Sequence, residues 1–227
     1  MSAVLDNLPQ VLEAFGYTVF LFLVSAVFSL VLGTLLVAMR VGPISVLAKA
    51  AAIYVTVVRN TPLLAVFFFF AFAAPKIGLN FKWVDVHIGT FDFTSFFGAA
   101  VVSLTIYTAA FVCEALRSGV NAVPLGQAEA ARAIGLPFSG VMREIVLPQA
   151  LRASVPPVAS TMIALLKNTS VAAVFGIIEA TSRMKILTNN NADERWGIFL
   201  AIAIGYVVLV ELVSLVAATF ERRWRIA

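Results

Sequence analysis

The sequence predicts an all-α, polytopic membrane protein with about five transmembrane helices, on the evidence of its composition and its long uncharged runs. Hydrophobic residues make up 61% of the 227 residues and charged residues only 12%, and the mean hydropathy is +0.99. Soluble domains carry about 25% charged residues. Because the uncharged runs are longer than a buried core requires, we expect their apolar side chains to face lipid.

Five candidate spans form one transmembrane domain over residues 1–227. The first, over residues 14–39, holds 26 uncharged residues between Glu13 and Arg40. At about 1.5 Å per residue this length exceeds the hydrocarbon core of a bilayer, which is roughly 30 Å thick. The other spans are expected over residues 50–74, 93–116, 153–178 and 196–220. Acidic residues stand where a signal peptide has basic ones, so the first span is expected to remain in the membrane.

The distribution of basic residues predicts that the N-terminus lies outside and the C-terminus inside. In that orientation nine of the sixteen Lys and Arg residues fall in cytoplasmic segments and five in outer segments, while Arg59 and Lys167 lie within spans. Cytoplasmic loops carry the excess of Lys and Arg in membrane proteins. The largest cytoplasmic segment is then the loop over residues 117–152.

Several classes of function are excluded or disfavoured by missing motifs. The chain lacks the Gly-x4-Gly-Lys-Ser/Thr loop that cradles phosphates, so it cannot itself be an ATPase. The single cysteine, Cys113, excludes an internal disulfide, and the single histidine, His87, gives no metal site. The sequence contains no run of basic residues interleaved with aromatic residues, so it does not indicate nucleic acid as a partner. We therefore expect no enzyme activity, no metal and no bound cofactor in this chain.

The cytoplasmic loop is predicted to form a helical hairpin. Pro124 suits the first turn of a helix, and Gly135 suits a left-handed cap at its end. A second helix is expected over residues 138–146, ending before Pro148. On these grounds alone two interpretations stay open: the hairpin docks another protein, or it packs against the ends of the bundle.

The hairpin sequence resembles the EAA motif of ABC importer permeases. The matching residues are Glu129, Ala130, Ala131, Gly135, Leu147 and Pro148. The resemblance implies the type I importer permease fold, in which these residues form coupling helices that seat on a cytoplasmic ATPase dimer. It also implies that ATP and Mg²⁺ are bound by that ATPase, and that the chain lies in the bacterial cell membrane. A second permease subunit, with a heterodimer favoured and a homodimer possible, and an extracytoplasmic amino-acid-binding protein are the other partners implied.

Two further stretches resemble the polar amino acid branch of this family. Residues 58–64, Val-Arg-Asn-Thr-Pro-Leu-Leu, look like its Arg-x-Thr-Pro-Leu signature, with Asn60 where many relatives have Gly. Residues 166–170, Leu-Lys-Asn-Thr-Ser, look like its Lys-x-Thr-Ser segment. The closest likeness is to actinobacterial glutamate-type permeases, which favours glutamate or aspartate as the substrate. The candidate path residues are Arg59, Asn60, Thr61, Lys167, Asn168, Thr169 and Ser170.

Three charges inside the spans require an explanation, because an ionisable group at the bilayer centre costs at least about 2.5–3.5 kcal/mol. Arg59 precedes Pro62, which is expected to kink the helix and free backbone carbonyls. Arg59 could bind a substrate carboxylate or serve a structural or gating role. Lys167 could attract a carboxylate, or pair with Glu211 or with a partner subunit. Glu211 could be a packing charge, or a proton carrier if the chain were an ion-coupled secondary transporter or channel, which is the alternative function.

Overall fold

The computed structural model describes residues 2–89 and 91–224 and is almost entirely helical. The helices are α1 (Ser2–Asp6), α2 (Leu8–Val41), α3 (Ser45–Arg59), α4 (Leu63–Phe68), α5 (Ser95–Asn121), α6 (Leu125–Ala133), α7 (Phe138–Gly140), α8 (Leu147–Asn168), α9 (Ala180–Asn190) and α10 (Arg195–Trp224). Four helical stretches are long and apolar enough to cross a membrane, and the bent pair α3–α4 makes a fifth. They cover residues 8–41, 45–77, 95–121, 138–175 and 192–222.

Helix α5 forms the centre of the bundle. It packs along α2 on one side and α8 on the other, while α10 packs mainly on α8 and α9. In the most apolar window of α5, 61% of the residues are buried, against 11% for α10. Leu21, Leu104 and Leu165 of the three central helices meet in the main core. The exposed apolar faces of α2 and α10 therefore form the outer surface, as expected for helices that contact lipid.

The second span is broken at Pro62, which confirms the predicted kink. Helices α3 and α4 meet at 102° across a break of a few residues. Pro62 takes an extended conformation (ψ 134°), and α4 begins directly after it. Proline has no N–H to donate and disfavours the α-helical conformation in the residue before it, and here the helix ends before Pro62. After Phe68 the span widens into a π-helical turn over Phe69–Ala73 and then tightens over Ala74–Ile77.

A small β-hairpin in the segment between the second and third spans was not predicted. Strands β1 (Val86–Ile88) and β2 (Phe91–Phe93) pair antiparallel. The Tyr17 hydroxyl of α2 accepts a hydrogen bond from the Asp92 N–H at 2.6 Å. Phe93 packs into the main core beside Phe97. These contacts attach the hairpin to α2 and α5, and the one to Tyr17 joins residues 75 positions apart in sequence.

The predicted helical hairpin is present, but its second half differs from the prediction. Gly135 has φ +89° after α6, which confirms the left-handed cap. The expected stop before Pro148 is wrong, because the chain runs from α7 through a π-helical turn (Val141–Val146) into α8 without a break. Proline is disfavoured in a helix interior by its missing N–H and by a clash with the carbonyl of residue i−4, although α8 also contains Pro156 and Pro157. The wider turn and the position of Pro148 at the start of α8 remove both obstacles.

Candidate functional site

The two polar side chains before Pro62 form hydrogen bonds with backbone carbonyls at the end of α3. The Asn60 side-chain amide donates to the Thr56 carbonyl at 2.9 Å, and the Thr61 hydroxyl donates to the Val57 carbonyl at 2.8 Å. The Thr56 carbonyl also accepts the Asn60 backbone N–H at 3.3 Å, and the Val58 carbonyl, to which Pro62 has no N–H to donate, accepts the Thr61 N–H at 3.1 Å. Asn60 and Thr61 therefore stabilise the end of α3 at the break in the second span.

Arg59 lies on the α5 side of the break. Its guanidinium carbon is 5.6 Å from the centroid of the Phe111 ring, within the range of a cation–π contact. Over residues 2–89 and 91–224, no carboxylate comes within ion-pair distance of this guanidinium. The charge is therefore held in place by an aromatic ring and keeps its hydrogen-bond donors available.

The polar cluster at the end of α8 divides between different surroundings. Asn168 ends the helix and lines a cleft, whereas Thr169 is fully buried and donates to the Leu166 carbonyl at 2.6 Å. Lys167 is exposed, and the Ser170 hydroxyl donates to its carbonyl at 2.7 Å. Of the four predicted residues, only Asn168 contributes to the wall of the cleft.

The cleft lies between α5 and α8 and has a volume of about 330 Å³. This is at the lower end of small-molecule pockets, which are typically about 300–1,000 Å³. The lining residues are Tyr107, Thr108, Phe111, Ser160, Thr161, Ala164, Leu165 and Asn168. Arg59 stands beside it through its contact with Phe111. Sequence reasoning missed all of the lining except Asn168, although the i, i+1, i+4 spacing within each helix shows that these residues share a face.

The hydroxyls in the cleft differ in their availability. Ser160 donates to the Pro156 carbonyl at 3.2 Å and Thr161 donates to the Pro157 carbonyl at 2.9 Å. The Thr108 hydroxyl is buried and finds no hydrogen-bond partner within the described part of the chain. A buried hydroxyl without a partner costs about 1–3 kcal/mol. Thr108 therefore belongs to the cleft wall and carries a hydroxyl without a partner in the described residues, and the oxygen itself is shielded from solvent.

The predicted pairing of Lys167 with Glu211 is absent from the described residues. Glu211 is exposed on α10 and does not line the cleft. A different ion cluster, which the sequence analysis did not identify, joins α2 to α5. Glu114 forms an ion pair with Arg40 and a second one with Arg117 at 3.4 Å.

At the opposite end of the molecule, Glu179 is a fully buried carboxylate. It caps α9 by accepting hydrogen bonds from the backbone N–H groups of Thr181 at 3.0 Å and Ser182 at 2.8 Å, and it accepts a third from the Tyr206 hydroxyl at 2.7 Å. Burial raises the pKa of the Glu179 carboxyl, against the opposing effect of these hydrogen bonds. From the sequence, Glu179 was predicted only to be an acidic residue of an outer segment, because its burial depends on how α9 packs against α2 and α10.

The helical hairpin presents an apolar surface that no part of the chain within residues 2–89 and 91–224 covers. Leu125 and Ile134 are 78% and 82% exposed, and Phe138 is also exposed. Five of the predicted docking residues lie on the exposed part of the hairpin or at its end: Glu129, Ala130, Gly135, Leu147 and Pro148. Ala131 is instead buried against Val141, Val146 and Ala150, so its side chain holds the hairpin together.

Membrane-crossing helices around a small polar cleft, with an exposed hairpin at one end, define a subunit of a membrane transport system. Residues 30–226 match the family of binding-protein-dependent transport system inner membrane components, and the chain belongs to this family. The predicted permease class and the multi-pass location in the inner membrane are therefore confirmed. The orientation with the N-terminus outside stays a prediction.

Individual relatives agree with this assignment. The chain is 44% identical over 202 residues to the glutamate transport system permease protein GluC of Corynebacterium efficiens, with 88% of each chain covered. It is 34% identical over 220 residues to the probable glutamine ABC transporter permease protein GlnP of Bacillus subtilis, with 96% of this chain and 95% of that protein covered. The crystal structure of an amino acid ABC transporter with histidines superposes with a TM-score of 0.82 at 26% identity, covering 97% of this chain and 96% of that one. The predicted importer permease fold is confirmed by this likeness.

Proposed function

We propose that this chain forms part of the path for polar amino acids, with glutamate or aspartate favoured, and that a separate ATPase drives it. The observation that carries the substrate class is the cleft between α5 and α8. It combines an unpaired buried hydroxyl at Thr108, the amide of Asn168 and the nearby cation of Arg59. A carboxylate takes up a hydroxyl donor and a guanidinium through charge-assisted hydrogen bonds. The relatives that transport glutamate and glutamine support the same class.

The cleft is open on one side in this chain. Helices α5 and α8 supply only one wall, so we infer that a partner supplies the other. A heterodimer is favoured by the likeness to glutamate-type systems, and a binding protein is expected to deliver the amino acid from outside. Glu211 does not line the cleft, so the proton-carrier role that the alternative function would give to it has no support there.

Thr108→Val tests the substrate site, and Thr105→Val is its matched control. Both hydroxyls are buried without a partner within residues 2–89 and 91–224, but only Thr108 lines the cleft. In proteoliposomes that hold the complete transporter and its binding protein, Thr108→Val is expected to lower glutamate uptake at limiting substrate by roughly tenfold. Thr105→Val is expected to retain uptake. Equal uptake by the two variants would show that the cleft is not part of the transport path.

The second part of the proposal is that the helical hairpin docks the ATPase. Leu125 and Ile134 expose apolar surface on a segment outside the spans, where lipid does not cover it, and exposed Phe138 continues this surface at the first residue of the fourth helical stretch. The expected test is co-purification of a P-loop ATPase with the chain. Ile134→Glu should reduce recovery of the ATPase, whereas Ile44→Glu, at an exposed isoleucine between α2 and α3, should not. Recovery that is unaffected by Ile134→Glu would show that the hairpin docks nothing at this surface.

A further inference from the structure

A second cavity lies on the opposite side of α8 from the cleft. It is an apolar groove of about 660 Å³ between α2, α8 and α10. Val158 and Met162 line the groove, whereas Ser160 and Ala164 line the cleft. Residues two positions apart on a helix point about 200° from each other. Helix α8 therefore carries a polar-lined cavity on one face and an apolar one on the other.

The groove wall offers no free hydrogen-bonding group among the residues that line it. Its one polar member, Ser154, donates its hydroxyl to the Leu151 carbonyl at 2.9 Å. Exposed apolar side chains, including Leu23, Leu212 and Val216, form the rim. The occupant must therefore be apolar along this length.

The length of the groove matches one leaflet of a bilayer. Its walls run from Val19 to Leu30 on α2 and from Leu209 to Phe220 on α10, which is twelve residues and eleven steps along the helix in each case. At about 1.5 Å per residue each wall is about 17 Å long. Half of a hydrocarbon core of roughly 30 Å is about 15 Å. One acyl chain from one leaflet therefore has the length to lie in the groove.

Positive charge is concentrated at one end of the groove. Arg152 follows the lining residue Leu151, and Arg222 lies two residues after the lining residue Phe220. Both arginines are exposed. Arg117, which follows the lining residue Leu116, is engaged by Glu114 at 3.4 Å. Two free guanidinium groups thus stand where the headgroup of a lipid in the groove would lie.

We propose that this groove binds an anionic phospholipid, with an acyl chain between α2, α8 and α10 and its phosphate at Arg152 and Arg222. The choice of a lipid over a second permease subunit rests on the proposed function. If the partner subunit closes the cleft, it covers one face of α8 and leaves the opposite face to the bilayer. The arginines also complement a phosphate headgroup, whereas an apolar helix of a partner offers them no counter-charge.

Native mass spectrometry of the purified transporter complex tests the proposal. The complex is equilibrated with phosphatidylglycerol or with phosphatidylcholine of the same acyl chains, and the lipid retained by each is measured. The wild-type complex is expected to retain phosphatidylglycerol preferentially. Each basic residue near a membrane surface contributes about 1 kcal/mol of attraction to anionic lipid, so R152Q/R222Q is expected to reduce this retention about thirtyfold. Ala159→Trp, which fills the groove, is expected to remove retention of both lipids.

Two controls separate this proposal from the proposed function. Arg195→Gln removes an exposed charge at the other end of α10 and is expected to leave lipid retention unchanged. Ala164→Trp fills the cleft on the opposite face of α8 and is expected to stop uptake while lipid is retained. Normal uptake by Ala164→Trp would count against the path without affecting the lipid site.

Three results would overturn the lipid site. The first is a wild-type complex that retains neither lipid, or that shows no preference for phosphatidylglycerol. The second is unchanged retention in both R152Q/R222Q and Ala159→Trp. The third is loss of the second permease subunit from the Ala159→Trp complex, which would identify the groove as the interface between subunits.

Discussion

The guanidinium of Arg59 rests over the ring of Phe111, 5.6 Å from its centroid, and so joins the broken second span to the third. Phe111 also lines the cleft between α5 and α8. The cation at the break is therefore fixed beside the proposed path by a contact that does not occupy its hydrogen-bond donors.

Two substitutions of Arg59 are expected to distinguish the contribution of its positive charge to uptake from that of its planar guanidinium group. Arg59→Gln should reduce glutamate uptake at limiting substrate by at least tenfold, because a charged hydrogen bond contributes about 1.5–3 kcal/mol. Arg59→Lys should recover part of this loss, since it keeps the charge but loses the planar fork. Uptake in proteoliposomes with the complete transporter measures both variants. An unchanged rate for Arg59→Gln would assign the residue to structure alone.

Two adjacent alanines on α6 are expected to give opposite results. Ala131 is buried in the hairpin, so Ala131→Leu should overpack it and lower the free energy of unfolding by about 1–3 kcal/mol. Ala130 is exposed, so Ala130→Leu should leave the thermal stability of the isolated chain unchanged and weaken recovery of the ATPase. Thermal unfolding in detergent and co-purification measure the two effects. If Ala130→Leu also destabilised the isolated chain, its side chain would have to pack within the hairpin.

The effects of replacing Arg40 and Glu114 on stability are expected to be coupled, because the two side chains form an ion pair. The two side chains are 16% and 25% exposed, so Glu114→Leu should leave a largely buried guanidinium without its main partner. We expect a loss of about 1–3 kcal/mol of stability, less than for a completely buried pair. Replacing both residues, in Arg40→Leu/Glu114→Leu, should recover most of that loss. A double-mutant cycle on thermal unfolding measures the coupling, and strictly additive effects would show that the pair contributes nothing.

The buried carboxyl of Glu179 is expected to make stability depend on pH. Its folded-state pKa is raised by burial, so the stabilisation from its protonated form is present in acid and is lost as the pH rises through that raised pKa. The Tm of the wild type relative to Glu179→Gln should therefore be highest in acid and decrease toward neutral pH. Tyr206→Phe removes the hydroxyl that donates to the carboxylate, so the decrease should move to higher pH. A Tm difference that does not change with pH would contradict this assignment.

How far the sequence alone predicted this molecule depended on how local each feature is. The spans follow from the length of their uncharged runs. The bend at Pro62 follows from the missing N–H of proline, and the left-handed turn at Gly135, with its φ of +89°, follows from the absence of a Cβ in glycine. Each of these is a property of residues adjacent in sequence. The wall of the cleft could not be found in this way. It requires that one face of α5 meets one face of α8, which depends on tertiary packing.

The errors have similar causes. Pro148 looked like a helix terminator because the α-helical geometry excludes proline, and the chain avoids that geometry locally with a wider turn. Lys167 and Glu211 looked like partners because both are charges within spans, yet each is exposed on its own helix. The pair that does form, Arg40 with Glu114, joins the ends of two spans where neither charge was unexpected.

The continuity of the chain at Pro148 has a mechanical consequence. From Phe138 to Phe175 helical structure extends over 38 residues and connects the exposed hairpin to the wall of the cleft. It includes a π-helical turn over Val141–Val146, Pro156 and Pro157 inside α8, and a 3-10 stretch over Thr169–Phe175. The 22 residues of α8 alone are about 33 Å long at the rise of an α-helix. Because the chain has no break at Pro148, the hairpin and the cleft residues Ser160 and Asn168 belong to one helical segment, and a movement of the hairpin is expected to be transmitted along it.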